Sequence, residues 1–233
     1  MEFPYDFVDK VLCGDSLEVM KQIPSESVPA VVTDPPFGIG FKGEDSHGGK
    51  HYNEMGKDPK AYWETFQPFF NEMYRIANYG AFFAIWQSQK YMRYFWDWYG
   101  WKEDIHIYAG CKNFVQLSKT PINMGWDPIV MFYKGERNGF TPLRPPKPKR
   151  SVDFFVSNTA KYVTEVNSLA KKHPCPRQVD QTTEIISNFV VEKGLVLDPF
   201  VGVGLYHWFA KEQRDSLLGL KCPQNIVSYL RRD

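Results

Sequence analysis

Two short apolar runs in this 233-residue chain end in the same way, at an aspartate followed by a proline. The first run, residues 31–33, ends at Asp34, and the second, residues 195–197, ends at Asp198. Apolar runs without polar alternation are typical of strands that are buried on both faces of a parallel sheet. Similar runs alternate with segments of helical spacing along most of the chain. The sequence therefore predicts an α/β fold with a mainly parallel sheet covered on both faces.

Two stretches break this alternation of strands and helices. Residues 38–59 are rich in glycine and charge, which predicts a long, mobile loop. Residues 110–172 show strand character only at 128–133, and prolines interrupt the rest. We therefore expect a main domain formed by residues 1–109 and 173–233, with residues 110–172 as an irregular insert.

The charged residues are unevenly distributed. The whole chain has 28 Lys and Arg against 27 Asp and Glu, but residues 134–177 hold ten basic side chains against three acidic ones. Such a segment is either a solvated loop or a contact region for phosphates. The candidate phosphate contacts are Lys134, Arg137, Arg144, Lys147, Lys149 and Arg150.

Several classes of protein are disfavoured by composition. No apolar run approaches the roughly 18 residues that a membrane-spanning helix needs. The first ten residues carry acids and a proline in place of an apolar signal sequence, so we expect a cytoplasmic protein with no membrane partner. The four cysteines are scattered without a paired spacing, which predicts neither a metal site nor a disulfide scaffold.

The turn formed by Asp34, Pro35, Pro36 and Phe37 has the chemistry to hold a planar amino group. The Asp34 carboxylate and a proline carbonyl are acceptors, the prolines add no donor, and Phe37 offers a flat stacking face. Two acceptors on an aromatic amino nitrogen favour a tetrahedral geometry and free its lone pair for attack. The alternative is a turn that only ends a strand, with a solvated aspartate.

The second turn begins at Asp198 and continues through Phe200, Gly202 and Gly204. Glycines between a strand and a helix let the backbone approach a ligand closely. The Asp198 carboxylate can meet the ammonium end of an amino-acid-like cofactor. A tight turn without a ligand is the alternative.

Together, the motifs resemble those of the S-adenosylmethionine-dependent amino-methyltransferases of DNA. Residues 34–41 are similar to the catalytic Asp-Pro-Pro-Tyr/Phe motif of that family, and residues 198–204 to its cofactor loop, Asp-Pro-Phe-x-Gly-Ser-Gly. Residues 14–17 and 173–177 resemble two further family segments. The catalytic motif precedes the cofactor loop by about 160 residues, which resembles the permuted beta class, where the intervening segment reads the target.

The resemblance implies a circularly permuted, Rossmann-like class I methyltransferase fold that binds S-adenosylmethionine. It implies methyl transfer to adenine N6 of a base flipped out of double-stranded DNA, with cytosine N4 as an alternative target, and a homodimer or partner subunit is possible in such a system. The implied catalytic residues are Asp34, Pro35, Pro36 and Phe37, and the implied cofactor residues are Asp15, Asp198, Phe200, Gly202, Gly204 and Lys221.

The chain departs from the family pattern in three places, which are Lys221, the loop residues Val203, Leu205 and Tyr206, and Phe37 in place of the commoner tyrosine. The family usually places an acidic residue where this chain has Lys221, at the end of the strand after the cofactor loop. This difference motivates the alternative of a catalytically impaired, methyltransferase-like DNA-binding or partner subunit.

Overall fold

The computed structural model describes most of the chain in twelve ranges. These are residues 2–3, 5–7, 10–38, 42–44, 50–53, 58–98, 103–116, 124–145, 152–157, 179–191, 194–201 and 216–221. The strands are β1 Lys10–Cys13, β2 Val28–Thr33, β3 Lys42–Glu44, β4 Lys50–Asn53, β5 Ala77–Trp86, β6 His106–Gln116, β7 Met124–Tyr133, β8 Phe154–Ser157, β9 Leu195–Asp198 and β10 Ser216–Lys221. The α-helices are α1 Ser16–Met20, α2 Pro59–Ile76, α3 Met92–Trp98 and α4 Val179–Phe189.

Eight of these strands form one sheet in the order β1-β10-β9-β2-β5-β7-β6-β8. The strands from β1 to β5 in this order are mutually parallel, and β7 runs antiparallel to both β5 and β6. The predicted α/β fold with a mainly parallel sheet is confirmed. The cofactor-loop strand β9 comes late in the sequence but lies inside the sheet, between β10 and β2.

Both faces of the sheet are covered by apolar side chains. Helices α1, α2 and α3 pack on one face, where Phe70 and Phe83 are fully buried. Helix α4 packs on the other face, where Phe82 stacks on Phe189 at 5.2 Å between ring centroids. In the aromatic stretch after residue 90, Tyr91 and Phe95 are fully buried.

Two stretches contain more regular structure than the sequence predicts. Within residues 38–59, expected to be a loop, strands β3 and β4 pair as an antiparallel hairpin. Within residues 110–172, strands β6, β7 and β8 all lie in the main sheet, and the expected boundary at residue 110 falls inside β6. Polar and small residues in β6 hide its strand character, which depends on pairing with β7. The sequence also predicts helices near residues 205–212 and after residue 224, and both lie outside the described residues. In the described part of the chain, no helix is long and apolar enough to cross a membrane.

A buried polar cluster fastens the C-terminal end of α2 to the end of β7. Lys134 is 4% exposed, and its ammonium donates to the carbonyls of Tyr74, at 2.8 Å, and Ala77, at 2.6 Å. The Glu103 carboxylate accepts hydrogen bonds from the Tyr74 hydroxyl and from the Gly135 N–H. Burial raises the pKa of Glu103 and lowers that of Lys134. The prediction that Lys134 contacts phosphate is therefore wrong, because its charge is used inside the fold to cap a helix.

Replacing Lys134 tests this structural role. We expect Lys134→Met to lower the free energy of unfolding by about 2–4 kcal/mol, because helix carbonyls and a buried carboxylate lose a cation. Urea denaturation at pH 7 measures the loss. Arg137→Met is the control, with an expected change below about 0.5 kcal/mol, since its ion pair with Asp104 is exposed. Equal effects of the two substitutions would contradict the assignment.

Candidate active site

The two aspartate turns lie side by side at the carboxyl edge of the sheet. Strands β2 and β9 are parallel neighbours, with Ala30 paired to Val196 and Val31 to Leu197. From this pair the chain moves to β5 on one side and to β10 on the other. Such a switch in strand order creates a crevice, where ligands bind in open α/β sheets. The motifs that the sequence singled out are therefore brought together at a position suited to binding.

Asp198 is completely buried, and its two carboxylate oxygens have different surroundings. Oδ1 accepts a hydrogen bond from the Thr33 hydroxyl at 2.6 Å and another from the Phe200 N–H at 3.0 Å. Oδ2 is buried and has no hydrogen-bond partner among the described residues. A buried carboxylate oxygen without a donor is costly, so this atom marks a position for a ligand that donates.

The surroundings of Asp198 also change its acidity. Burial raises the pKa of its carboxyl from an ordinary value near 3.8 to about 7, and the charge on Asp34 adds to the rise. The hydrogen bonds from Thr33 and Phe200 offset part of this rise because they favour the ionised form. The carboxyl therefore changes charge near neutral pH.

The turn after β9 is held in place from two sides. The Ser16 hydroxyl donates to the Pro199 carbonyl at 2.8 Å, and the Phe200 ring packs on Phe69 at 5.4 Å between centroids. The sequence predicts Ser16 as the helix cap of α1, but this prediction is wrong. Asp15 is the cap, accepting from the Leu17 N–H at 2.9 Å, which leaves the buried Ser16 hydroxyl free to reach the turn. Asp15 itself is exposed at the end of β1.

The turn after β2 packs on two tyrosines, Tyr62 and Tyr91, which form an aromatic block that the sequence did not reveal as part of the site. Pro35 is buried, whereas Asp34, Pro36 and Phe37 are partly exposed. Phe37 packs against the apolar cluster on the α4 face of the sheet. Three of the four side chains are thus partly accessible, while the backbone of the turn is anchored.

The anchor is the glycine that follows Phe37. Gly38 has φ of +63°, and a Cβ atom there would lie 2.2 Å from Cδ2 of Tyr62, so no other residue fits without displacing that ring. The Tyr91 hydroxyl donates to the Gly38 carbonyl at 2.8 Å, and the Tyr62 ring stacks on Tyr91 at 4.9 Å. Gln87, at the end of β5, donates to the Tyr62 hydroxyl at 2.8 Å. These residues are far apart in sequence, so no local pattern could reveal that they meet.

Two of the predicted phosphate contacts lie away from these turns. Arg137 and Arg144 follow β7, whose antiparallel direction carries them to the amino edge of the sheet, opposite Asp34. There they pair with acids, Arg137 with Asp104 at 3.5 Å and Arg144 with Glu136 at 3.2 Å. The two arginines therefore lie away from the catalytic turn, and their predicted contact with phosphate stays a prediction.

The structure describes some of the other predicted site residues and not the rest. Lys221 ends β10 beside Cys13, at the same carboxyl edge as the two turns. Trp126 lies within β7, as the sequence favoured, and the adjacent Asp127 pairs with Lys112 at 3.1 Å at the carboxyl edge. Gly202, Gly204, Lys147, Lys149 and Arg150 lie outside the described residues. Among the residues that are described, no cluster of His, Cys, Asp and Glu could hold a metal ion.

The raised pKa of Asp198 predicts how stability changes with pH. The pKa of Asp198 is higher in the folded state than in the unfolded state. The folded protein therefore loses stability as the pH rises from about 4 to about 7, because the buried carboxyl ionises. Asp198→Asn removes this cost. We therefore expect the free energy of unfolding of the variant to be higher than that of the wild type by on the order of 2–4 kcal/mol at pH 8. At pH 4.5 the two should agree within about 1 kcal/mol. Urea denaturation at both pH values measures the difference, and Asp104→Asn is an exposed control. A difference that does not change with pH would contradict the burial of an ionisable group here.

Comparison with known proteins agrees with the geometry. The model of the DNA methylase family N6_N4_Mtase matches residues 28–230. The type II methyltransferase M.HpaI of Haemophilus parainfluenzae is 24% identical over 236 residues, covering 94% of this chain and 71% of that protein. The fold is similar to that of the cytosine-N4-specific PvuII DNA methyltransferase, with a TM-score of 0.64, 16% identity and coverage of 94% of this chain and 82% of the other. It is also similar to the M1.HpyAVI–SAM complex, with a TM-score of 0.59, 16% identity and coverage of 92% and 94%. Since the family model matches most of its length, this chain belongs to the N6/N4 family of DNA methylases.

Proposed function

We propose that this protein transfers a methyl group from S-adenosylmethionine to adenine N6 of a base flipped out of double-stranded DNA. The observation that carries the proposal is the hydrogen bond between Thr33 and Asp198, which joins the catalytic turn to the cofactor turn across two adjacent strands. Family membership supports the DNA methyltransferase reaction, and the nature of the turns supports an amino nitrogen as the acceptor.

The residues at the cofactor turn fit the proposed cofactor. The unpartnered Oδ2 of Asp198 is an acceptor in a buried position, which suits the ammonium group of an amino-acid-like ligand. Phe200 adds an apolar surface, and on that side of the sheet Asp15 caps α1 just after β1 and Lys221 ends β10. Gly202 and Gly204 continue the turn in sequence. When bound, S-adenosylmethionine supplies an electrophilic methyl group on its sulfonium.

At the catalytic turn, the protein supplies acceptors and a stacking surface. The Asp34 carboxylate and the Pro35 carbonyl accept the two hydrogens of the amino group, and Phe37 stacks on the base. These contacts hold the nitrogen in position and favour the charge distribution of the transition state. A base reaches such a turn only when it leaves the helical stack, at a cost of a few kcal/mol.

Adenine is favoured over cytosine by the residue before the two prolines. Aspartate at position 34 resembles the adenine-specific form of the motif, and we assign adenine on that basis. Cytosine N4 is the second candidate, because the PvuII enzyme, which shares this fold, is described as cytosine-N4-specific. The two products differ in the modified nucleoside.

The position of the site also bears on where DNA approaches. The catalytic turn lies at the carboxyl edge of the sheet, and the described basic residues after β7 lie at the other edge. We therefore propose Lys147, Lys149 and Arg150 as the phosphate contacts and residues 110–172 as the region that reads the target. Lys112, paired with Asp127, lies at the edge that DNA would approach.

Replacing Asp34 tests the catalytic assignment. With methyl-labelled S-adenosylmethionine and unmethylated DNA, we expect Asp34→Ala to slow methyl transfer roughly 100- to 1,000-fold, because the amino group loses its charged acceptor. Cofactor affinity, measured by calorimetry, should change less than about threefold. Asp104→Ala, an exposed acid at the opposite edge of the sheet, is the control.

The same experiment separates the alternatives. N6-methyladenine in the nucleoside digest supports the proposal, and N4-methylcytosine would replace adenine by cytosine as the target. Cofactor binding without any label in DNA would favour the catalytically impaired subunit, which Lys221 motivates. Equal rates for the wild type and Asp34→Ala would contradict the role of Asp34.

A further inference from the structure

Thr33 is a buried hydroxyl residue at a position where an apolar residue would be expected. It ends β2 after the fully buried Val31 and Val32, and its own side chain is completely buried. A buried hydroxyl is costly unless it forms a hydrogen bond. The partner here is Oδ1 of Asp198, at 2.6 Å and 165 positions further along the chain. The hydroxyl thus connects the residue before the catalytic Asp34 with the buried acid of the cofactor turn.

This hydrogen bond fixes the orientation of the Asp198 carboxylate. Oδ1 accepts two hydrogen bonds. One comes from the Thr33 hydroxyl at the end of β2, and the other from the Phe200 N–H in the turn after β9. With Oδ1 fixed in this way, the carboxylate cannot rotate freely, and Oδ2 keeps a defined direction. Oδ2 is the buried oxygen without a partner among the described residues. The same contact therefore determines which oxygen stays available to a ligand.

We propose that Thr33 is a positioning residue for cofactor binding, which orients the Asp198 carboxylate so that Oδ2 receives the ammonium group of S-adenosylmethionine. The inference rests on the proposed function and adds to it a residue that does not itself contact the cofactor. Thr33 acts through Asp198, and its effect is on cofactor affinity before any effect on transfer from the bound cofactor.

The acidity of Asp198 gives this role a measurable signature. Its pKa is raised to about 7 by burial and by the charge on Asp34, which is the charged group acting on it among the described residues. The Thr33 hydroxyl opposes this rise, so its loss should raise the pKa further. Because the ionised carboxylate attracts the ammonium, cofactor affinity should increase as the pH rises through the pKa of Asp198. Without the hydroxyl, the increase should occur at higher pH.

The experiment compares three substitutions at position 33. Thr33→Val removes the hydroxyl and keeps the side-chain volume, whereas Thr33→Ala removes both. Thr33→Ser keeps the hydroxyl. Thr65→Val removes an exposed hydroxyl on a helix and is the control. Affinity for S-adenosylmethionine is measured by calorimetry between pH 6 and pH 8.5, and folding by thermal melting. Transfer at saturating cofactor separates affinity from turnover.

We expect the wild type to show a midpoint near pH 7 in cofactor affinity. Loss of the hydroxyl should move this midpoint about one unit higher, so that affinity falls about tenfold more at pH 6 than at pH 8.5, where the remaining loss reports the orientation of the ionised carboxylate. Thr33→Ser and Thr65→Val should follow the wild type within about twofold. Turnover at saturating cofactor should change less than affinity.

The outcomes are distinguishable from failure of the proposed function. A wild type that binds no S-adenosylmethionine overturns both proposals. A wild type that binds and transfers methyl groups, with folded Thr33→Val or Thr33→Ala variants that keep its pH profile, overturns the role of Thr33 alone. If Thr33→Val is unfolded at the temperature of the calorimetry, Thr33→Ala provides the test. If both variants are unfolded while Thr33→Ser is folded, Thr33 has a structural role in place of the proposed one.

Discussion

The hydrogen bond between Thr33 and Asp198 is the contact on which the site depends. It joins strands β2 and β9, which lie far apart in the sequence and side by side in the sheet. Each strand ends in an aspartate-proline turn, and the pairing brings these turns to one crevice at the switch in strand order. A permuted chain, in which the catalytic turn comes before the cofactor turn, can build the same site because only the neighbouring strands have to meet.

The two edges of the sheet differ in how they use buried polar groups. At the carboxyl edge, the catalytic turn is anchored at Gly38 by an aromatic block, while the cofactor turn is held by the hydroxyls of Thr33 and Ser16. At the amino edge, the cluster around Lys134 and Glu103 fastens a helix to a strand. Buried charge at the amino edge is fully partnered and stabilises the fold. The buried acid at the carboxyl edge keeps one oxygen without a described partner, which is a cost that binding would relieve.

Much of the fold was predictable because buried parallel strands have a clear sequence pattern. Apolar runs such as residues 31–33 and 195–197, each ended by aspartate and proline, identify both the sheet and its functional edge. The direction of β7 could not be predicted, since it depends on pairing with β5 and not on residue pattern. For that reason the sequence could not show that Arg137 and Arg144 lie at the edge opposite the catalytic turn. The choice of Asp15 over Ser16 as the cap of α1 likewise depends on a distant contact, the Pro199 carbonyl.

The central claim is that the catalytic strand and the cofactor acid are energetically coupled through one hydrogen bond. A double-mutant cycle of Thr33→Val and Asp198→Asn, measured by urea unfolding without cofactor, tests this coupling most directly. At pH 8, where Asp198 is ionised, Thr33→Val should cost at least about 1 kcal/mol more in the wild type than in the Asp198→Asn background, because a hydroxyl bonded to a carboxylate is stronger than one bonded to a neutral amide. At pH 5 the coupling should vanish. Additive effects at pH 8, within about 0.3 kcal/mol, would show that the two turns are neighbours without being coupled and would contradict the account.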